Sequence, residues 1–239
     1  MSVFVISDLH LSSDSTKSME VFGPRWSNYM SRLFQNWNRV VGDGDTVIIP
    51  GDISWALTLE DALPDLLFLE RLPGKKIIGK GNHDYWWSTQ KKLRTLFERN
   101  RISSIDILYN NAHVVENIII CGTRGWYNEQ TRTQAENQPD YKKIINREAI
   151  RLSLSTAAAR PLATETGYPV TAFFHFPPVW NGFVCRELVD ILHEHNITMC
   201  YYGHIHGYYG PEAKFVFEDV TFQLVSSDYI DFVPMPVRI

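Results

Sequence analysis

The 239-residue chain has few cysteines, a small net charge and no long hydrophobic run. Its three cysteines, Cys121, Cys185 and Cys200, lie in or beside apolar stretches without metal-type spacing. We therefore expect reduced core residues, and neither a disulfide framework nor a thiolate metal site. The formal net charge of -4 lacks the basic excess that is typical of proteins that bind nucleic acid or membrane surfaces, so we expect neither partner.

A targeting or membrane-spanning segment is also not evident in the sequence. No apolar run approaches the roughly 20 residues that cross a bilayer. The apolar run at residues 2–7 is too short for a signal peptide. These two absences lead us to expect a soluble, cytoplasmic protein.

What the chain does contain is enough apolar sequence for a substantial core, with 44% hydrophobic and 21% charged residues. Short apolar runs first alternate with helical patterns, in the order strand, helix, strand, helix, strand, helix. This α/β alternation predicts a largely parallel sheet with helices on both faces. The predicted strands are 3–7, 46–50, 75–79, 105–109, 112–115, 118–121, 170–174, 197–202, 215–217 and 220–225, and the predicted helices are 26–40, 57–69, 88–100, 141–161 and 184–195.

Five local features refine this expectation. Apolar spacings of three and four across residues 26–40 predict that the aromatic side chains there, including Phe34, lie in the core. Ser88 is the expected N-cap of its helix, and Pro64 interrupts the helix before it. Asn110 and its neighbour predict a hairpin turn between two short strands. The last two strands read as antiparallel strands that close the fold.

Residues 124–165 interrupt the alternation within what we predict to be a single domain covering residues 1–239. The segment follows a Gly-rich turn, is polar through Asp140, and then shows a helical pattern that ends near Pro161. We interpret it as a small helical insertion, a lid or cap over the site.

Residues suited to metal binding or catalysis follow five of the predicted strands. They are Asp8 and His10, then Asp52, then Asn82 with His83 and Asp84, then His175, and last His204 and His206. Taken singly, each motif has the alternative of an ordinary polar turn. Taken together they predict one site, because the carboxyl ends of parallel strands converge at one edge of a sheet.

The ligand types in this set predict the kind of metal. Carboxylate, imidazole and amide oxygen without thiolate suit manganese, iron or zinc. A single ion would use three or four of these side chains and leave the others without a role. The number of ligands therefore favours two divalent or trivalent ions as cofactors.

The series Asp8-x-His10, Gly51-Asp52, Gly81-Asn82-His83-Asp84, His175 and Gly203-His204-x-His206 resembles the calcineurin-like metallophosphoesterase family. The motifs occur in the family's order from residue 7 to residue 207. The resemblance implies a four-layer α/β/β/α sandwich with a two-metal site at the sheet ends. The second sheet is implied by the resemblance alone, because the residue pattern indicates one covered parallel sheet.

The resemblance also implies roles for the site residues. It divides the metal ligands into Asp8, His10 and His206 for the first ion, Asn82, His175 and His204 for the second, and Asp52 as the bridge between them. His83 would protonate the leaving oxygen or steady the phosphate, and Asp84 would hold His83 in its working tautomer. The nucleophile would be a metal-bound hydroxide.

Four further side chains are candidates for substrate binding because they follow strand ends that should face the site. They are Trp55, Trp86, Trp126 and Arg124. The aromatic residues would wall a pocket for an organic phosphoester, or they would simply cover the sheet edge. Arg124 would grip a substrate phosphate, or it would form an ion pair on the surface or with the lid.

These residues predict a dimetal-dependent phosphoesterase that hydrolyses a small phosphodiester or phosphomonoester. One alternative is a phosphoprotein phosphatase, which would need an open surface groove. Another is a non-catalytic metal-supported scaffold, which the presence of His83 and all seven predicted ligands disfavours. The family's lipid-A-precursor hydrolases have Arg at the position of His83, and the chain departs from that branch there.

Overall fold

Two β-sheets lie face to face in a computed structural model of the chain, which describes residues 1–13, 17–126 and 139–238. The strands are β1 Val3–Val5, β2 Thr46–Ile49, β3 Lys75–Ile78, β4 Ile105–Ile107, β5 His113–Val115, β6 Ile118–Thr123, β7 Val170–Phe174, β8 Val179–Trp180, β9 Phe183–Val184, β10 Met199–Tyr202, β11 Lys214–Phe217, β12 Val220–Leu224 and β13 Met235–Pro236. The α-helices are α1 Tyr29–Val40, α2 Leu63–Arg71, α3 Gln90–Arg99, α4 Pro139–Thr166 and α5 Arg186–Glu194.

Both sheets are mainly parallel. In the described part of the chain the first sheet has the order β13-β1-β2-β3-β4, and only its edge strand β13 is antiparallel to its neighbour. The second has the order β11-β12-β10-β7-β6-β5, with parallel central strands and antiparallel edges. Strands β8 and β9 form a separate small hairpin.

Three apolar layers separate the sheets from each other and from the helices. Val47 and Ile49 of β2 pack towards the helices of the first half, together with Leu33 and Trp37. Ile48, between them in sequence, packs instead among residues of the other sheet, because successive side chains of a strand point to opposite faces. A third cluster lies between the second sheet and helices α4 and α5. The fold is therefore the predicted four-layer α/β/β/α sandwich.

Helices α2 and α3 begin later than their sequence patterns indicated. Helix α2 begins at Leu63, which places Pro64 in the first turn. Backbone N–H groups in the first turn have no partner within the helix, so a proline, which lacks this group, is tolerated there. The cap of α3 is Thr89, whose side chain accepts a hydrogen bond from the Lys92 N–H, and not Ser88. In α1, Phe34 is 47% exposed, so its predicted place in the core was wrong.

One strand pairing also differs from the prediction, and another was not predicted. The predicted hairpin around Asn110 is wrong, since β4 is the last strand of the first sheet and β5 belongs to the second. The chain crosses between the sheets there, with Asn110 in a left-handed conformation (φ 56°). The last two strands, β11 and β12, pair antiparallel as predicted, and β12 also pairs parallel with β10, which places the end of β12 at the same edge as the site.

Helix α4 accounts for most of the predicted insertion. It continues through Pro161 to Thr166 and packs on the second sheet, with Ile145, Leu152 and Ala159 buried. This part of the segment is thus one of the covering helices of the sandwich. The remainder of the predicted lid, residues 127–138, lies outside the described residues. Within the described ranges, none of the helices combines the length and apolar character needed to cross a membrane.

Candidate metal centre

The loops that follow the parallel strands are tied to one another by backbone hydrogen bonds. The N–H of Asp8 donates to the carbonyl of Gly51 at 3.0 Å, and the N–H of Gly203 donates to the carbonyl of His175 at 3.0 Å. Ser7 forms an isolated parallel bridge with Ser226, which joins the first sheet to the second. Loops from both sheets therefore form one rigid platform at this edge.

Four of the predicted ligands adopt a left-handed backbone conformation. The φ angles are 60° for Asp8, 45° for His10, 52° for Asp52 and 70° for His204. This conformation costs an ordinary residue about 1–2 kcal/mol, so it persists only where surrounding contacts fix it. The occurrence of this left-handed conformation at four of the predicted ligands indicates that the backbone directs their side chains into one space.

Two glycines let the loops approach more closely than any other residue would allow. A Cβ on Gly203 would lie 2.3 Å from Oδ2 of Asp8, and a Cβ on Gly81 would lie 2.0 Å from Oδ1 of Asp52. Both distances are far below a van der Waals contact. The glycines in the predicted motifs are thus required by the close packing of the two buried carboxylates.

The first group of ligands consists of Asp8, His10 and His206. One ligand atom from each lies within 4.8 Å of the others. The Nε2 atoms of His10 and His206 face each other at 3.2 Å, and Nε2 of His206 lies 3.7 Å from Oδ1 of Asp8. The structure therefore brings together the three side chains assigned to the first ion.

The second group contains Asp52, His175 and His204, with the same mutual separation of ligand atoms. Oδ1 of Asn82 lies 2.6 Å from Nε2 of His175, which places the fourth predicted side chain beside this group. Oδ2 of Asp52 lies 3.4 Å from Nε2 of His175 and 3.7 Å from Nε2 of His10. A single carboxylate oxygen thus contacts an imidazole from each group.

The protonation states of this site suit a cation. Burial raises the pKa of Asp8 to about 6, and burial with the charge of Asp8 raises the pKa of Asp52 well above its usual value. Burial lowers the pKa of His10 and His175 far below the ordinary value, and that of His204 to about 3. Neutral imidazoles beside carboxylates are the ligands that first-row divalent metals take.

Unpaired polar atoms at the same place support this interpretation. Within the described ranges, the buried Nδ1 atoms of His10 and His175 have no hydrogen-bond partner. The facing Nε2 atoms of His10 and His206 cannot both be acceptors without a proton or cation between them. The side chains therefore fit two metal ions, one at each group, better than they fit one another.

Asp228 is a candidate site residue that the sequence interpretation missed. Its Oδ1 lies 2.8 Å from Nδ1 of His206, and its Oδ2 accepts hydrogen bonds from the N–H of Gly207 and the hydroxyl of Tyr209. Burial opposes the charge on His206, but the hydrogen bond to Asp228 raises the pKa of that imidazole. With its Nδ1 held by Asp228, His206 directs Nε2 towards the metal position.

Asp84 has a different role from the one expected. Its carboxylate accepts hydrogen bonds at 2.8–3.2 Å from the backbone N–H groups of Asp52, Ile53, Ser54 and Gly81 and from the indole N–H of Trp86. The expected contact with the imidazole of His83 is not among them, and Nδ1 of His83 has no partner within the described residues. Asp84 therefore fixes the Asp52 loop against the Gly81 loop.

His83 lies at the open side of the metal groups. Its backbone N–H donates to Oδ1 of Asp52 at 2.8 Å, and its ring centroid lies 5.6 Å from that of His10. The ring of Trp55 lies 4.4 Å from His83 and stacks on His10 at 4.9 Å. Burial lowers the pKa of His83. His83 and Trp55 are thus placed to contact a group bound at the metals.

The other three candidate substrate residues differ in their surroundings. Trp86 is only 2% exposed and is held by Asp84, so it braces the loops in place of the expected contact with substrate. Trp126 packs against Phe176, whose ring lies 4.4 Å from that of His204, and so stands one side chain away from the site. Arg124 lies 3.4 Å from the buried carboxylate of Glu148.

Comparisons with known proteins agree with this geometry. The family model for calcineurin-like phosphoesterases matches residues 1–208. A solved structure described as the protein of unknown function AQ665 from Aquifex aeolicus is 15% identical, with a TM-score of 0.52 over 98% of this chain and 95% of that one. The structure of TT1561 of Thermus thermophilus is 11% identical, with a TM-score of 0.56 over 95% of this chain and 89% of that one.

No curated protein matches the sequence significantly. The two structural similarities, at these low identities, show a common fold and nothing about activity. The family match carries more, because it covers most of the chain and includes every motif of the metal centre. The chain belongs to the calcineurin-like phosphoesterase family and is a metal-dependent phosphoric ester hydrolase.

Proposed function

We propose that the protein hydrolyses a small phosphomonoester or phosphodiester at a centre of two metal ions. The observation that carries this proposal is the position of Asp52, whose Oδ2 lies within 3.7 Å of an imidazole nitrogen from each ligand group. A carboxylate between two ligand sets is the arrangement that holds two cations a few ångströms apart. Bound there, the two ions would activate a water molecule and offset the negative charge of the phosphoryl group.

The protein's own side chains set the geometry of this reaction. Asp8, Asp52 and Asn82 supply oxygen ligands, and the four histidines of the two groups supply nitrogen. His83, on the open side, donates an N–H to a phosphoryl oxygen or passes a proton to the leaving oxygen. Because its Nδ1 has no acceptor within the described residues, the ring is oriented by Trp55 and by its own backbone.

The surroundings of the centre favour a small substrate with an organic group. Trp55 is half-buried with its ring against His10 and His83, and Tyr85, 61% exposed, stands at the rim 6.3 Å from His83. These rings present apolar surface beside the position of the phosphate. Manganese, iron and zinc are the candidate metals on ligand chemistry.

The test is reconstitution of metal-free protein with Mn²⁺, Fe²⁺ or Zn²⁺, followed by assay with p-nitrophenyl phosphate and bis(p-nitrophenyl) phosphate. We expect turnover that requires added metal and that is lost in Asp8→Asn. The matched control is His193→Ala, which removes an imidazole far from the centre and should retain full activity. Absence of turnover of both substrates, with two ions per chain measured by mass spectrometry, would contradict the proposal.

A further inference from the structure

Three cationic side chains gather beside the metal centre, in a cleft between the ends of β3 and β6. Lys80 follows β3, Arg124 follows β6, and Arg151 reaches the cleft from α4. Pro50 and Phe173 form apolar parts of its wall. The cleft thus draws on both sheets and one helix, as the metal centre draws on both sheets.

The positive charge of this cleft exceeds its negative charge. Glu148, which is fully buried, is the one carboxylate in its described lining. It accepts hydrogen bonds from Arg151 at 2.5 Å, Arg124 at 3.4 Å and the hydroxyl of Thr123 at 2.7 Å. In the part of the chain that the structure describes, the ammonium of Lys80 has neither a hydrogen bond nor an ion pair, although it is partly buried.

Two unpaired polar atoms lie in the same cleft. Nε of Arg124 and Oδ1 of Asn110 are buried and have no hydrogen-bond partner among the described residues. Leaving a buried polar atom without a partner is unfavourable, so such atoms mark places where a ligand or a water molecule is bound. An oxyanion would satisfy the donors of Arg124 and Lys80 together, whereas Oδ1 of Asn110 is an acceptor that a water molecule would satisfy.

The cleft adjoins the metal centre through the chain segments that line it. Lys80 immediately precedes Gly81 and the predicted ligand Asn82. The carbonyl of Arg124 accepts a hydrogen bond from the N–H of Phe176 at 2.8 Å, and the ring of Phe176 lies 4.4 Å from that of His204. A molecule bound at the metals therefore has the cleft beside it.

We propose that the cleft of Lys80, Arg124 and Arg151 binds a second acidic group of the substrate, a phosphate or a carboxylate. The substrate class is then a phosphoester whose organic part carries another oxyanion a few bonds from the ester. This inference rests on the proposed function, since it requires the scissile phosphate to occupy the metal centre. Planar guanidinium groups and an ammonium are the side chains that bind such oxyanions.

The experiment measures binding by calorimetry to the Mn²⁺-loaded protein. The probes are α,ω-alkylbisphosphonates with ethylene to pentylene spacers, the alkylphosphonates of matching length, and the ω-carboxyalkylphosphonates. For the best spacer we expect the doubly acidic probe to bind about tenfold more tightly than its alkylphosphonate, the effect of one hydrogen bond to a charged group. The bisphosphonate and carboxylate series separately show which oxyanion is preferred.

Variants test whether this gain in binding affinity comes from the cleft. Lys80→Met should remove most of the gain without disturbing Glu148, whereas Arg151→Met also removes a partner of that buried carboxylate and serves as a second variant if it folds. The control is Lys91→Met, an exposed lysine of α3 outside the site, which should keep the gain. Equal binding of singly and doubly acidic probes, or a gain that survives Lys80→Met, would overturn the proposal.

Failure of the proposed function has a different signature. In that case the loaded protein would neither bind the simple alkylphosphonates nor turn over p-nitrophenyl phosphate, and the subsite would be rejected with it. Binding of alkylphosphonates without any gain from a second acidic group rejects the subsite alone.

Discussion

Nδ1 of His206 lies 2.8 Å from Oδ1 of Asp228, across 22 residues of sequence. This contact joins the loop after β10 to the loop after β12, the two neighbouring parallel strands of the second sheet. It fixes which nitrogen of His206 carries the proton and leaves Nε2 for a metal. Asp228 thus supports a ligand without being one.

We predict that Asp228→Asn weakens the first metal ion. The amide cannot hold the imidazole as the carboxylate does, so metal affinity at this group should fall by about 10- to 100-fold. Competition titration with a chelator measures both affinities, and the second ion should be less affected. Asp219→Asn, an exposed change, is the control. Unchanged affinity in Asp228→Asn would show that the contact does not orient the ligand.

We predict that His83→Ala keeps both metals and loses most turnover. The change removes a group that contacts the phosphoester and no metal ligand, so activity should fall by about 10²- to 10⁴-fold. Metal content and activity are measured on the same preparation, with His193→Ala as the matched control. A parallel fall in metal content would show that His83 acts as a ligand.

We predict that Asp84→Asn destabilises the metal-free protein. Its carboxylate accepts hydrogen bonds from four backbone N–H groups and one indole, and an amide would point an N–H at some of these donors. The free energy of unfolding should fall by about 3 kcal/mol. Urea unfolding measures it, beside Asp219→Asn. Unchanged stability with abolished turnover would instead support a direct role with His83.

We predict that Lys76→Met stabilises the protein at neutral pH and that the gain disappears at high pH. Burial lowers the pKa of Lys76 from 10.5 to about 8, although its ammonium donates to the carbonyl of Leu72 and the hydroxyl of Ser104. Between these two values the unfolded chain binds more protons than the folded one, so the wild-type protein gains stability as pH rises.

Below pH 8 the cost of burying charged Lys76 is fully present. The variant should therefore be more stable at pH 7 by about 1–3 kcal/mol, after the lost hydrogen bonds are counted. Unfolding at pH 7 and near pH 10 measures the difference, with Lys91→Met as the exposed control. A difference that is the same at both pH values would show that Lys76 does not titrate in this window.

The residue pattern predicted which strands carry the site but not how the strands pair. Alternation and apolar runs are local, so they located the strands before Asp8, Asp52, Asn82, His175 and His204. Pairing depends on contacts far apart in sequence. The crossing at Asn110 was therefore predicted wrongly, the parallel pairing of β12 with β10 was not predicted, and the resemblance to a family supplied the second sheet.

The unpredicted pairing of β12 with β10 explains why Asp228 was missed. An apolar strand followed by Ser226, Ser227 and Asp228 has the same form as the other site motifs. Because no parallel partner was predicted for β12, its end was not expected beside the site. For Asp84 and Trp86 the difficulty was of another kind. The family resemblance implied that Asp84 holds His83, and its place after a strand end made Trp86 a candidate for substrate binding, whereas the hydrogen bonds of both side chains tie the loops together.

The central claim is that Asp52 joins two metal ions in one centre. Calorimetric titration of metal-free protein with Mn²⁺, with metal counted by mass spectrometry, tests it in the wild type and in Asp52→Asn. We predict two ions per chain in the wild type and a loss of affinity for both in the variant. One ion per chain, or a variant that loses only one of two, would contradict a shared carboxylate.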